Sequence, residues 1–286
     1  MTRMMIGILL AVLTVVGCSE SDNQSGTTAP SPPPKDTVAV LGTGDMGDSF
    51  GPRLAALGYR VIYGSRNPAS DKVMALVALT GHDSSATTQM EAAQQADIVL
   101  LALPWPAMET VTQNLGDLSG KVLIDMSWPP SEIAEDGYYE FTIKTSAAEM
   151  IQGWNPDALV AKAFLTIGSN VIDDPSTANG PVTIPIASDS RIAKEKTARI
   201  AVDLGLDAVD AGPLRYARNI EALTQIMMVP YLQDRDMAWD FYFPRNNYFI
   251  CNAYEGDTSE DEVQPVSDAD DLADIPYTLE PLTQCK

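Results

Sequence analysis

The chain has 286 residues, a length that allows one large domain or two small ones. Hydrophobic residues make up 45% of it and charged residues 20%, a balance typical of a folded globular protein and not of a disordered one. The formal net charge of −21 excludes nucleic-acid binding through a general basic surface, because phosphate neutralisation requires clustered lysine and arginine. An anionic ligand must therefore be bound by a local group of cations.

The N-terminal residues predict an export signal. Arg3 precedes an apolar run at residues 4–16, which is shorter than the roughly 20 residues of a membrane-spanning helix. Residues 15–18 resemble the lipobox of bacterial lipoproteins, in which the cysteine is lipidated and becomes the mature N-terminus. We therefore expect a signal peptide at residues 1–17 and a lipid anchor on Cys18.

A tether connects this anchor to the folded domain. Residues 18–35 are rich in serine and proline, a composition that cannot form a core. Export of this kind predicts a protein of the bacterial cell envelope, attached to the membrane by its lipid and facing the periplasm. Ser19, by resemblance to lipoprotein sorting in enteric bacteria, favours the outer membrane.

From residue 36 onward, apolar runs typical of buried strands alternate with amphipathic segments. Strands are predicted at residues 37–41, 60–63, 98–103, 122–125, 159–164, 182–187 and 208–209. Helices are predicted from the turn after the first strand to residue 57 and at residues 73–79, 91–95, 106–115, 192–204 and 215–232. Such alternation indicates a Rossmann-type α/β domain over residues 36–232, with a doubly wound, mostly parallel sheet, helices on both faces and a C-terminal helix.

The end of the chain, residues 233–286, is an extension that is first aromatic and then acidic. The aromatic part either packs on the domain or forms a partner surface, and the Met227–Met228 pair before it indicates core packing or a homodimer contact. With Cys18 lipidated, Cys251 and Cys285 remain, either as a disulfide in an oxidising compartment or as two free thiols.

A glycine-rich turn follows the first predicted strand, and it consists of Gly42, Thr43, Gly44, Asp45, Met46 and Gly47. In this pattern the first glycine allows the tight turn, the second lets the backbone approach a pyrophosphate, and the third lets the helix pack on the strand. The helix N-terminus then offers unpaired N–H groups to the diphosphate. Asp45 disfavours that anion unless its side chain turns away to cap the helix.

The end of the second strand indicates which dinucleotide is bound. A site for NAD carries an aspartate or glutamate there to accept the ribose 2′-hydroxyl, and this chain has Ser65 and Arg66, followed by Asn67. A guanidinium binds a phosphate in bidentate fashion, and we expect Lys72 to lie near enough to contribute. The sequence therefore predicts NADP(H) as the cofactor.

Residues 38–68 resemble the nucleotide-binding segment of the NADP oxidoreductases that depend on coenzyme F-420, a deazaflavin, and of the related cytosolic domain of six-transmembrane metalloreductases. Further stretches match in order at residues 96–105, 120–125, 162–168 and 204–214. The resemblance extends over roughly residues 37–232 and includes neither the signal nor the acidic end.

This resemblance implies that the glycine turn holds the pyrophosphate, that Ser65 and Arg66 hold the 2′-phosphate, and that Leu103, Pro104 and Trp105 line the nicotinamide end. Hydride would pass directly between the nicotinamide and a flavin or deazaflavin, so no acid or base residue and no metal is required, which agrees with a chain that has one histidine. Trp128, Phe164 and Leu165 are then on the substrate side. Leu165 and Trp128 stand where the family usually has asparagine.

Three hypotheses follow. The first is an NADP(H)-dependent oxidoreductase acting on a flavin, a deazaflavin or another small redox acceptor. A pyrroline-carboxylate reductase or hydroxyacid dehydrogenase shares the nucleotide domain but needs a long helical C-terminal domain, for which too little helical pattern remains after residue 232. The third is a membrane-anchored lipoprotein that keeps the fold as a nucleotide-binding or scaffold module without turnover.

Overall fold

The computed structural model describes residues 35–234 and 239–243. The predicted signal peptide, the lipidation of Cys18, nearly all of the tether, the pairing of Cys251 with Cys285 and the acidic part of the extension lie outside the described residues. They stay predictions.

Eight strands form one twisted sheet and two more form a separate hairpin. The strands are β1 (Thr37–Leu41), β2 (Arg60–Gly64), β3 (Ser85–Thr87), β4 (Ile98–Leu101), β5 (Val122–Asp125), β6 (Ser131–Ile133), β7 (Tyr139–Phe141), β8 (Leu159–Lys162), β9 (Thr183–Ser188) and β10 (Asp207–Asp210). The large sheet has the order β10-β9-β8-β5-β4-β1-β2-β3. All of its neighbours are parallel except β8 and β9, so the prediction of a doubly wound, mostly parallel sheet is confirmed.

Nine helices occur within the described residues and cover the sheet. They are α1 (Asp45–Ala56), α2 (Asp71–Thr80), α3 (Gln89–Gln95), α4 (Trp105–Thr112), α5 (Ala147–Trp154), α6 (Ser169–Asp173), α7 (Arg191–Asp203), α8 (Ala217–Met227) and α9 (Val229–Asp234). Two short 3-10 helices lie at Pro175–Thr177 and Leu214–Tyr216. None of the helices in this part of the chain has the length and apolar character that crossing a membrane requires.

The apolar strand sequences explain why the sheet is central. Every residue of β4 and β5 is buried, which is the pattern of parallel strands covered on both faces. Alternate side chains of β1, β4 and β5 enter two separate hydrophobic clusters, one on each side of the sheet. The first cluster includes Val40, Ile98 and Ile124, and the second includes Leu41 and Val99.

The sequence predictions omit β3, α5 and α6, and three further differences bear on the site. The predicted helix at residues 215–232 is divided at Met228, because Pro230 has no N–H for the carbonyl of Ile226. The predicted strand at residues 159–164 ends at Lys162, since Phe164 has a left-handed backbone with φ of 60°. The hairpin of β6 and β7 was not predicted, and it lies directly after the loop that carries Trp128.

Candidate active site

The glycine turn between β1 and α1 is tightly packed on one side and open on the other. Gly42 has φ of +112°, and a Cβ atom there would lie 2.1 Å from the carbonyl oxygen of Ala102. A Cβ at Gly47 would lie 2.1 Å from the carbonyl oxygen of Gly42, so helix and turn touch at this point. At Gly44 a Cβ would meet no atom within 4 Å. Of these three glycines, only Gly44 therefore leaves room for a ligand beside the backbone.

The first turn of α1 keeps its N–H groups available. Gly44 is the N-cap and no side chain caps the helix, so the expected capping by Asp45 is not formed, because the helix begins at Asp45 itself. Burial raises the pKa of the Asp48 carboxyl above its ordinary value. The positive charge of Lys72 offsets part of this rise, and the negative charge of Asp45 adds to it. The Nζ atom of Lys72 lies 3.8 Å from Asp48 Oδ2 and donates a hydrogen bond to the carbonyl of Thr43, which brings one cation to the acidic start of the helix.

Ser65 and Arg66 lie beside this turn, at the carboxyl end of β2. Strands β1 and β2 are paired with Leu41 opposite Gly64, so the residues after both strands leave the sheet at the same edge. The N–H of Asn67 donates to Ser65 Oγ at 3.2 Å. Arg66 is exposed and has no hydrogen bond or ion pair within the described part of the chain. Its guanidinium is therefore available to an anion.

A cleft of about 280 Å³ continues from the turn along the carboxyl ends of β4 and β5. It is lined by Gly44, Asp45, Met46, Leu101, Ala102, Leu103, Pro104, Trp105, Met126, Ser127 and Trp128. The sequence had indicated most of these residues, but Leu101, Ala102, Met126 and Ser127 were missed. Trp105 begins α4 and packs against Trp154 with the ring centroids 5.6 Å apart, which fixes one wall of the cleft.

A second cavity, of about 300 Å³, lies on the other side of Trp128. Its walls are mostly apolar and consist of Trp128, Ser131, Tyr139, Leu165, Thr224, Met227 and Met228. The Nε1–H of Trp128 donates to Ser131 Oγ at 2.7 Å, and its ring lies edge-on to Tyr139 at 5.0 Å and to Phe141 at 5.9 Å. The hairpin therefore holds the indole in place, and this one residue lines both spaces.

The structure brings two of the three predicted substrate-side residues together. Trp128 and Leu165 line the second cavity, and Leu165 is only 8% exposed. Phe164 is fully buried and packs edge-on against Phe50 of α1 at 5.1 Å, so its ring lies in the core and lines neither cavity. The left-handed backbone at Phe164 explains this, because it turns consecutive side chains away from strand alternation.

A fully buried ionic cluster lies below the floor of the cleft. The Nζ atom of Lys162 lies 2.9 Å from Asp125 Oδ2 and 3.1 Å from Glu221 Oε1, and all three side chains are at most 1% exposed. Burial raises the pKa of Glu221, Lys162 offsets part of this rise, and the nearby Asp125 adds to it. Glu221 Oε1 also accepts from the N–H of Ala147, at the start of α5.

Sequence reasoning missed this cluster, although a signal was present. Lys162 and Asp125 each occupy a buried position at the end of an otherwise apolar strand, and a single charge at such a position requires a buried partner. The partner Glu221 comes from α8, whose position no local pattern specifies. Within the described residues no group of three His, Cys, Asp or Glu side chains could hold a metal ion.

Comparison with known proteins places these features in a family. Residues 37–129 match the family model described as NADP oxidoreductase coenzyme F420-dependent. The F420-dependent NADP reductase of Methanothermobacter marburgensis is 31% identical over 214 residues, which cover 69% of this chain and 93% of that protein. The chain belongs to this family. It is thus a member of the NADP-dependent oxidoreductases.

Two other similarities agree with the F420-dependent NADP reductase family. Metalloreductase STEAP2 of Homo sapiens is 31% identical over 192 residues, covering 66% of this chain and 36% of that protein, so the chain corresponds to little more than a third of it. A solved structure from Arthrobacter sp. FB24, assigned as an F420-dependent NADP-reductase, has a TM-score of 0.66 at 24% identity and covers 74% of this chain and 100% of that one. This structural likeness shows the fold.

Proposed function

We propose that the protein transfers hydride between NADP(H) and a planar, flavin-like or deazaflavin acceptor. The observation that carries the proposal is the pair of cavities that share Trp128. One of them begins at the glycine turn, where a dinucleotide binds in this fold, and the other is apolar and of a size for a ring system. Family membership supports NADP(H) as the donor.

The residues of the first cavity fit a dinucleotide phosphate. Gly44 leaves open space beside a helix start whose N–H groups carry no side-chain cap, an arrangement that accepts a diphosphate. Arg66 and the Ser65 hydroxyl stand one strand away, where a ribose 2′-phosphate requires cationic and hydroxyl donors. Lys72 offsets part of the repulsion from Asp45 and Asp48 by its contact with the turn.

The second cavity fits the acceptor better than it fits a charged substrate. Leu165, Met227 and Met228 supply apolar contact, and Trp128 supplies an aromatic face. Its lining residues carry the hydroxyls of Ser131, Tyr139 and Thr224 and no charged group; Ser131 Oγ already accepts from Trp128, and Thr224 Oγ1 already donates to the carbonyl of Ile220 at 3.0 Å. The acceptor therefore makes contact mainly through a flat, uncharged ring.

The chain's contribution to the reaction is binding, orientation and the exclusion of water. Bound nicotinamide supplies the two-electron hydride chemistry, for which no side-chain acid or base is required. Trp128 lines both cavities and is held by Ser131 and Tyr139, so it gives two bound rings one fixed wall in common. Trp105 and Leu103 cover the opposite side of the cleft.

Turnover tests the proposal directly. Purified protein is incubated with NADPH carrying deuterium at the transferable position and with riboflavin, FMN or coenzyme F420 in turn. We expect NADPH oxidation with at least one acceptor. With coenzyme F420, which accepts hydride at carbon, we also expect deuterium in the reduced acceptor, whereas the N–D bond formed on a reduced flavin exchanges with water. A Gly44→Ala variant should lose that activity while it stays folded. NADPH that binds but passes no hydride to any of the three would contradict an enzymatic role and favour a binding module.

A further inference from the structure

Ser127 has a buried hydroxyl group for which the fold supplies no partner. The residue is 4% exposed, and its Oγ atom forms no hydrogen bond within the described residues. It also lines the cleft that begins at Gly44. A buried hydroxyl without a partner is unfavourable and uncommon in native structures, so an explanation for this one is required.

The backbone of Ser127 is fixed on both sides by the buried ionic cluster. Its N–H donates to Asp125 Oδ1 at 2.8 Å, and its carbonyl accepts from Lys162 Nζ at 2.7 Å. Lys162 is itself held by Asp125 and by Glu221. Charge-assisted hydrogen bonds of this kind leave the peptide little freedom, so the Cβ of Ser127 keeps its place at the cleft wall, and rotation about χ1 turns the hydroxyl, which has no bond to lose, from its buried position into the cleft.

The position of Ser127 along the sheet selects the part of the dinucleotide that it can reach. Ser65 and Arg66 follow β2, the glycine turn follows β1, and Ser127 follows β5, with β4 between them. If the 2′-phosphate lies beside β2 and the diphosphate beside β1, the nicotinamide lies beyond β4, at the end that Ser127 lines.

We propose that the Ser127 hydroxyl binds the carboxamide of the nicotinamide and so orients the ring, an inference that rests on the proposed function. A carboxamide offers both donors and an acceptor, and a hydroxyl that can rotate satisfies either. The cluster of Lys162, Asp125 and Glu221 then acts as the support that holds this contact, and Ser127 is a binding residue for the cofactor.

Binding of two ligands to three proteins tests this. Titrations use NADPH and adenosine 2′,5′-bisphosphate, which has the adenosine and the 2′-phosphate but no nicotinamide, with the wild type, Ser127→Ala and Thr197→Val. Thr197 is the matched control, because its hydroxyl is also buried and unpartnered in the described structure but lies on α7 and lines neither cavity. We expect Ser127→Ala to weaken NADPH about tenfold and to leave the bisphosphate unchanged. Thr197→Val should change neither.

Three results would overturn the inference. Equal NADPH affinity in the wild type and Ser127→Ala would remove the contact while leaving the proposed function intact. Equal weakening of both ligands in Ser127→Ala would indicate a general disturbance of the cleft, which a lower melting temperature than that of Thr197→Val would confirm. A wild type that binds neither ligand would overturn the proposed function, and this inference with it.

Discussion

The two ends of the cleft differ in burial and in how many elements form them. At the end beside β2, Ser65 and Arg66 are consecutive residues near solvent. At the end beside β5, the charged groups are fully buried and come from β5, β8 and α8. The end with Ser65 and Arg66 is formed by a single loop, and its arginine requires no charged partner from another element. The buried end needs Lys162 to meet Asp125 across paired strands and Glu221 across a helix packing. Recognition of a phosphate is therefore local, while orientation of the reacting ring depends on long-range packing.

Because of this difference, we expect the exposed end to determine which nucleotide binds and the buried end to determine stability. A charge near solvent has little desolvation cost and contributes little to stability. Changes at Arg66 should therefore alter which nucleotide binds and leave the free energy of unfolding nearly unchanged. A buried ion pair has a large desolvation cost, and removal of one partner leaves an uncompensated charge. Changes at Asp125 or Lys162 should therefore act on the fold first and on ligand binding as a consequence.

The largest effect is expected from Asp125→Asn. Asp125 accepts from Lys162 Nζ with Oδ2 and from the N–H of Ser127 with Oδ1, so an asparagine there must turn its amide NH2 towards one of these two buried donors. We expect Asp125→Asn to lower the free energy of unfolding by about 3–5 kcal/mol in chemical denaturation. The control is Glu221→Gln, which keeps an oxygen for the N–H of Ala147 and should cost about 1 kcal/mol or less. Equal losses in the two variants would contradict this difference between the two carboxylates.

Two glycines of the same turn should separate stability from binding. Gly42→Ala places a methyl group against the carbonyl of Ala102 in a left-handed backbone, so we expect a loss of about 1–3 kcal/mol in stability. Gly44→Ala meets no atom within 4 Å and should stay as stable as the wild type while NADPH affinity falls at least about tenfold, because the methyl group occupies the approach of the diphosphate. Normal NADPH affinity in Gly44→Ala would argue against a ligand at this turn.

Trp128→Phe tests the boundary between the two cavities. The variant keeps an aromatic ring but loses the hydrogen bond from Nε1 to Ser131 Oγ. We expect the KM of the acceptor to rise severalfold, by about 1 kcal/mol in binding, while the KM of NADPH stays within about twofold. Steady-state kinetics with each substrate varied in turn makes the measurement. A change confined to NADPH would place Trp128 on the nucleotide side only.

The smallest effect is a dependence of stability on acid at the contact of α5 with α8. Burial raises the pKa of Glu149, but hydrogen bonds from Arg218 and Ser146 lower it further, to about 2. A folded pKa below the unfolded value stabilises the protein above about pH 4.5, and this contribution is lost as the pH falls towards 2. Arg218 is half exposed, so we expect about 1 kcal/mol or less. Glu149→Gln should flatten the profile between pH 6 and pH 3 in urea denaturation, and an unchanged profile would contradict the assignment.

The same contrast explains how much the sequence revealed. The apolar strands, the turn at residues 42–47 and the residues after β2 are local patterns, so the sheet and the place of this turn in it could be predicted. The hairpin of β6 and β7 could not, because its strands are short and carry Glu132 and Glu140 directly opposite each other, an unfavourable pair. Ser127 could not be found either, since its importance depends on contacts with Lys162 that the chain makes only when folded.

The central claim is that the protein is specific for NADP(H), and the most direct test is the affinity for NADPH and NADH in the wild type, Arg66→Ala and Arg60→Ala. Arg60 is the matched control, because it is an exposed arginine at the opposite end of the same strand. We predict that the wild type and Arg60→Ala prefer NADPH by roughly 10- to 100-fold, and that Arg66→Ala loses most of this preference. Equal affinity of the wild type for the two nucleotides, or a preference that survives in Arg66→Ala, would contradict the account.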